Sequence, residues 1–207
     1  MAVSAKRSSA KTLHVAITGH RPNRMPESEL PRLKQALAKI FVGIQKRHSS
    51  RACRLLSGLA EGADRLGAFV ALGLGWHLDA VLAFHRARFQ EDFCDAYSRG
   101  EFRALLLAAS TVQEPSRRWH VGREAEDGYE AVANTMLQRC DVLVAIWDGE
   151  GSRGRGGTVD VIDAARGRGI EVIWLHATKA ARPRTLASRR RIGARGHKTE
   201  VRSIAQN

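Results

Sequence analysis

The residues that could do chemistry fall into three short groups, each placed just after an apolar run. The richest is Asp148-Gly149 and the loop beyond it, with glycines at 151, 154, 156 and 157, then Thr158 and Asp160. An apolar run over residues 142–147 precedes it and a helical pattern over residues 159–168 follows it. Strand, glycine-rich loop and helix start form an arrangement suited to anions. The first helical N–H groups are unpaired, the helix end carries partial positive charge, and glycines let a ligand approach the backbone. A second group, Thr18-Gly19-His20-Arg21-Pro22, closes the apolar run over residues 13–17. The Arg21 guanidinium matches phosphate geometry, and His20 could polarise a phosphate or cap a turn. The third group is Ser57-Gly58-Leu-Ala-Glu61-Gly62-Ala-Asp64-Arg65, after a short apolar run at residues 54–57. Its acids, Glu61 and Asp64, could complement a helix dipole or contact ribose hydroxyls or a base.

Positioning these groups requires strands that end together. Apolar runs suited to buried strands occur at residues 13–17, 54–57, 77–84, 142–147 and 170–175, with a short candidate at 110–114. Between them lie helical patterns. Residues 29–47 carry Leu30, Leu33, Leu37, Ile40, Phe41 and Ile44 at helical spacing, and residues 124–138 carry Tyr129, Val132, Ala133, Met136 and Leu137. A third helix runs to about residue 74, a fourth over residues 159–168, and shorter pieces begin near Asp92 and at Phe102 after a polar junction at residues 85–91. About five strands alternating with helices predict a mainly parallel sheet with helices on both faces. In such sheets ligands bind beyond the carboxyl ends of the strands, where strand order reverses. The stretch Pro115-Ser-Arg117-Arg118-Trp119 reads either as a surface loop or as one that lays a cation on a phosphate or an indole on a base. Trp147 and Trp174 lie within apolar runs and read as core; His14 and His77 read as structural.

The formal charge of +13 is concentrated at the ends. Residues 1–11 carry +3 and residues 179–207 carry +8, so residues 12–178 are left with +2. We therefore expect one domain over 12–178, flanked by a disordered N-terminal tail and a disordered basic C-terminal tail containing Arg189-Arg190-Arg191. Such tails give salt-sensitive, non-specific attraction for nucleic acid. No apolar stretch is long enough to span a bilayer, and the N-terminus has no apolar signal-peptide core. The three cysteines, Cys53, Cys94 and Cys140, are odd in number and widely spaced. They suggest neither disulfides nor a zinc site, and fit a reducing cytoplasm. No histidine pair with a carboxylate has metal-ligand spacing, so no metal and no further cofactor are expected. No nucleophilic triad can be assembled, and the Walker-type phosphate loop is absent.

Taken together, Ile17-Thr-Gly19-His20-Arg21, the Ser57–Arg65 motif and the Asp141–Gly149 run with Gly156-Gly157-Thr158 resemble the SLOG superfamily of Rossmann-like domains, over roughly residues 12–176. That group includes the LOG-type nucleotide phosphoribohydrolases and the DNA-processing protein DprA, whose core the Ser-Gly-Leu-Ala-x-Gly-x-Asp pattern echoes. The resemblance implies a Rossmann-like three-layer sandwich that binds a nucleotide or nucleotide-derived small molecule, as some relatives do in sensing signal nucleotides in bacteria. It implies a pocket lined by Gly19, His20 and Arg21 on one side and by Ser57, Gly58, Glu61 and Asp64 on another, with Asp148 at its strand end. Gly156, Gly157 and Thr158 would take the phosphate, and homodimers are common among such relatives. LOG enzymes place a catalytic glutamate three residues past the matching threonine; here that position is Val161. A nucleoside-monophosphate phosphoribohydrolase built on this chain would turn to Glu61 or Asp160 to stabilise a developing ribosyl cation.

Overall fold

The computed structural model describes residues 12–115, 123–151 and 156–188, of which 123–126 contribute backbone alone. The chain is a three-layer α/β sandwich on a seven-stranded sheet of order β4-β3-β2-β1-β5-β6-β7. The strands are β1 (Leu13–Gly19), β2 (Cys53–Ser57), β3 (His77–Val81), β4 (Thr111–Gln113), β5 (Val142–Trp147), β6 (Glu171–His176) and β7 (Arg184–Leu186). β1 to β6 pair in parallel and β7 is antiparallel to β6. The helices are α1 (Leu30–Arg47), α2 (Ala63–Gly73), α3 (Arg86–Phe89), α4 (Ala96–Ala108), α5 (Arg123–Arg139) and α6 (Thr158–Gly167). α2 packs against both α1 and α4 on one face, and α5 packs against α6 on the other.

Strand order runs leftward from β1 through β4, then jumps back to place β5 on the other side of β1. The carboxyl ends of β1 and β5 therefore fork apart, with their helices leaving toward opposite faces. This is the reversal point at which a ligand cleft is expected. The two central strands are almost wholly apolar and buried, as strands covered on both faces must be. α1 buries Leu33, Leu37, Ile40, Phe41 and Ile44 at the spacing the sequence displays.

Three features depart from the sequence reading. The two helical pieces expected near 92 and 102 are one helix, α4, started by Asp95, whose carboxylate accepts the Ser98 N–H at 2.7 Å. The polar junction at 85–91 holds the short helix α3, with its first turn tied to the His85 ring. The sheet also continues past residue 178. β7 lies in the segment expected as tail, and it forms because the backbone of Val172, Ile173 and Trp174 offers an open edge to Leu186, Thr185 and Arg184. The tail residues 1–11 and 189–207 lie outside the described residues, as do Arg117, Arg118 and Trp119. No helix among the described residues is long and apolar enough to cross a membrane.

β3 carries one acid, Asp79, only 1 % exposed. Arg54 on β2 grips it at 2.5 and 3.0 Å, Arg139 reaches it at 3.1 Å and Thr111 at 2.8 Å. Burial works against its charge, but these partners hold its pKa below the ordinary carboxylate value. The cluster ties β2, β3, β4 and α5 together, away from the fork.

Candidate functional site

At the end of β1 the chain is squeezed between β5 and α2. A Cβ on Gly19 would stand 2.5 Å from both the Ala63 Cβ and the Ile146 carbonyl oxygen, so only glycine fits. His20 then turns inward and is 6 % exposed. Its Nε2 lies 2.9 Å from Asp148 Oδ1 and 3.2 Å from the Asp148 backbone nitrogen. It can thus donate to the carboxylate when protonated there, or accept the backbone N–H when not. Arg24 closes the other side of Asp148 with two hydrogen bonds of 2.8 Å. Burial tends to raise the Asp148 pKa, but the Glu150 N–H, His20 and Arg24 outweigh it and bring it down to about 2. Asp148 is therefore a fixed anion that locks the ends of β1 and β5 together.

The turn after β2 is built from its own polar groups. The fully buried Ser57 hydroxyl donates to the Asp64 carbonyl at 3.1 Å and accepts the Leu59 N–H at 3.2 Å. Gly62, at φ +95°, lets the turn press against β1: a Cβ there would meet the His20 carbonyl oxygen at 2.4 Å. That same carbonyl accepts the Ala63 N–H that begins α2. Asp64 projects from this helix start into the cleft, closely packed but still reachable from it. Gly58 leaves room for the carboxylate, since a Cβ at Gly58 would lie 2.9 Å from Asp64 Oδ2. Burial pushes the Asp64 pKa up to about 7, against hydrogen bonds from the Ala60 and Gly58 backbone and the charges of Arg21 and Arg65.

The third wall comes from α5 and α6. Gly157, directly before α6, contributes no side-chain cap to the first N–H groups of the helix. From α5, Tyr129 takes a hydrogen bond from Arg21 through its hydroxyl at 2.5 Å, and Val132, Ala133 and Met136 add an apolar surface. The result is a cavity of about 320 Å3. Gly19, His20 and Arg21, then Asp64, then Gly156, Gly157 and Thr158 all border it, with Asn23 and Arg24. One wall is thus apolar and the others polar and partly cationic, which suits a ligand with both an apolar ring and an anionic group.

Not every residue expected at the site reaches this cavity. Ser57 and Gly58 shape the turn that presents Asp64. Glu61 turns toward α4, accepting hydrogen bonds from the Cys94 backbone and thiol at 3.2 and 3.3 Å and a short one from the Ser98 hydroxyl. Burial opposes its charge, but these donors and Arg65 keep its pKa below the ordinary value. Asp160 lies across α6, in a separate cleft of about 180 Å3 between α5 and α6. Asp148 borders a different cavity, described below. Conversely, Arg24 and Tyr129 belong to the site although neither drew attention as a polar group in the sequence. Tyr129 was legible as part of an apolar helical stripe; Arg24 sits in the turn between Pro22 and Pro26 and had no local signal. Val161, at the position of the LOG glutamate, borders the cavity and brings no carboxylate. Among the described residues no three His, Cys, Asp or Glu side chains are grouped to hold a metal ion.

No protein-family model and no curated protein sequence matches the chain. Solved structures do. The DNA processing protein A (DprA) of Streptococcus pneumoniae matches with a TM-score of 0.51 at 15 % identity, over 79 % of this chain and 50 % of that one. TM1055 matches at 0.46 and 17 % identity, over 78 % and 72 % of the two chains. The DprA of Helicobacter pylori, whose structure concerns its single-stranded DNA binding mode, matches at 0.48 and 17 %, over 76 % and 62 %. The chain thus spans about half the length of the pneumococcal protein. At this identity the likeness establishes the fold, which is the DprA-like, Rossmann-like one.

Proposed function

We propose that the cavity at the β1–β5 fork binds a nucleotide or nucleotide-derived small molecule, and that the protein serves as a binding or sensing domain for it. What supports this reading is convergence: three turns far apart in sequence border one cavity of about 320 Å3, joined there by an apolar wall. Arg21 and the start of α6, where Gly157 adds no side-chain cap, suit a phosphate, and Val132, Ala133 and Met136 suit a base. The test is a thermal-shift panel of nucleoside mono-, di- and triphosphates, cyclic nucleotides and ADP-ribose. A ligand at 100 times its Kd stabilises by about 2.7 kcal/mol, or roughly 5–10 °C for a domain of this size. Gly157→Leu should erase that shift. A full shift in the variant would place the phosphate elsewhere.

A hydrolytic reading has one observation in its favour. Asp64 borders the cavity with its pKa pushed up to about 7, the range of a general acid or base. It replaces Glu61 and Asp160 as the carboxyl group that such a reaction would use. Incubating the nucleoside monophosphates with the protein and assaying free base decides between the readings: base released by the native protein and not by Asp64→Asn supports hydrolysis, and none released leaves binding alone.

A further inference from the structure

The same end of the sheet carries a second cavity, of about 380 Å3, over β6 and β7. Its floor is aromatic. Trp174 and His176 lie two residues apart on β6 with ring centroids 5.7 Å apart, and Trp147 lies tilted against Trp174 at 5.4 Å and 46°. The indole N–H groups are already used, Trp174 donating to the Trp147 carbonyl at 2.8 Å and Trp147 to the Glu150 carbonyl at 2.7 Å. The floor is therefore fixed by the protein itself. Arg184 stands directly across from Trp174 in the β6–β7 pairing, so the two side chains share a face. Lys179 and Arg182, from the connection between these strands, also border the cavity. That connection is held in place by His176, whose Nδ1 accepts the Thr178 and Lys179 N–H groups, each at 3.2 Å. Burial, with Lys179 nearby, lowers the His176 pKa, so the ring is neutral and able to accept at pH 7.

Three cations border this cavity together. Arginines elsewhere, such as Arg32, Arg54, Arg86 and Arg88, are in ion pairs. Lys179, Arg182 and Arg184 have no ion pair among the described residues, yet they meet around one concavity. The acids bordering it are Asp148, already gripped by Arg24 and His20, and Glu150. An anion bound among the three cations would gain from their summed attraction.

We propose that this cavity binds the phosphate groups of a phosphorylated small molecule, with Lys179, Arg182 and Arg184 as the anion contacts and Trp174 as a flat apolar floor. The site is separate from the fork cavity: Asp148 stands between them, with its partners His20 and Arg24 bordering the fork and its own edge bordering the second cavity. A concavity of about 380 Å3 bounded by β7 and the Gly149–Glu150 turn matches a compact oligophosphate in size, whereas a continuous nucleic-acid strand needs an extended groove.

The experiment is titration calorimetry on the full chain in about 0.2 M salt, which suppresses loose attraction to exposed charge. The probes are inorganic tripolyphosphate, ATP and a dT oligonucleotide. Tripolyphosphate and ATP should bind the native protein. The triple variant Lys179→Gln, Arg182→Gln, Arg184→Gln should lose about tenfold or more in affinity for tripolyphosphate, the weight of one to two charge-assisted hydrogen bonds. Arg21→Ala, which disarms the fork cavity, should keep the tripolyphosphate binding that the triple variant loses. Should the triple variant fail to fold, Lys179→Gln and Arg182→Gln singly, both outside the strands, should each weaken binding. Equal binding by native and charge-depleted proteins overturns the proposal, as does loss of binding in Arg21→Ala or absence of tripolyphosphate binding altogether. Binding of the oligonucleotide through these three residues without tripolyphosphate binding overturns it in favour of a nucleic-acid surface.

Discussion

Asp64 borders the fork cavity and Asp148 stands beside it, and burial and partners drive their pKa values in opposite directions. Asp148 is depressed to about 2 from 3.8. Its stabilisation is fully present above the ordinary value and is lost as pH falls from about 4 through about 2. Asp148→Asn should therefore destabilise the protein by about 2 kcal/mol at pH 7, and the gap should close as pH approaches 2, read by denaturant unfolding across that range. Asp64 is raised to about 7. A raised pKa means stability that is present below the ordinary carboxylate range and lost as pH rises through 7. The protonated acid also leaves Arg21 less compensated. An anionic nucleotide should thus bind more tightly at pH 6 than at pH 8, and Asp64→Asn should flatten that dependence in a calorimetric titration at the two pH values. In the sequence, Gly19, His20, Arg21, Asp64, Gly156, Gly157 and Thr158, which border the fork cavity, were legible as candidates because each follows an apolar run at a turn. The direction in which Glu61 and Asp160 point was not. Glu61 is claimed by Ser98 and Cys94, which lie 37 and 33 residues further on, and sequence offers no sign of that claim.

Each strand-turn-helix unit depends on close approach at its glycine. A Cβ on Gly62 would sit 2.4 Å from the His20 carbonyl oxygen, in a backbone conformation that disfavours any other residue. Gly62→Ala should cost about 1–3 kcal/mol or more in denaturant unfolding, by overpacking and φ strain together. Gly43, with nothing near its Cβ position, should accept alanine without loss. At the other end of the strands, Asp79→Ala strands Arg54 and Arg139 beside a buried site, and should cost about 3–5 kcal/mol. The periodicity of α1, α2, α5 and α6 was legible because each buries one apolar face. β7 was not, because Arg184-Thr185-Leu186 has no strand-like alternation and is held by the open edge of β6. α4 read as two pieces because Gly100 interrupts it, and its continuity comes from packing against α2.

For the whole molecule, the order of the seven strands sets where chemistry can occur. The reversal between β1 and β5 opens the fork cavity, and the added antiparallel edge shapes the second one. Alternation of strands and helices in the sequence was enough to expect the layered parallel sheet and the binding end, since right-handed connections leave few alternatives. The two sites also belong to a body that is far less basic than the chain: residues 12–188 carry +5 of the total +13. Any oligonucleotide retention driven by the tails should disappear in a chain cut to residues 12–188 and fall steeply with salt in the full one, as a gel-shift series would show. The account rests most on the fork cavity as a nucleotide site. The measurement that bears on it most directly is calorimetric titration of the strongest stabiliser from the nucleotide panel into the native protein and into Arg21→Ala. The account predicts a fork-site binding event that weakens by about tenfold or more in the variant, as expected for a charge-assisted hydrogen bond to phosphate. Unchanged affinity in Arg21→Ala would contradict it.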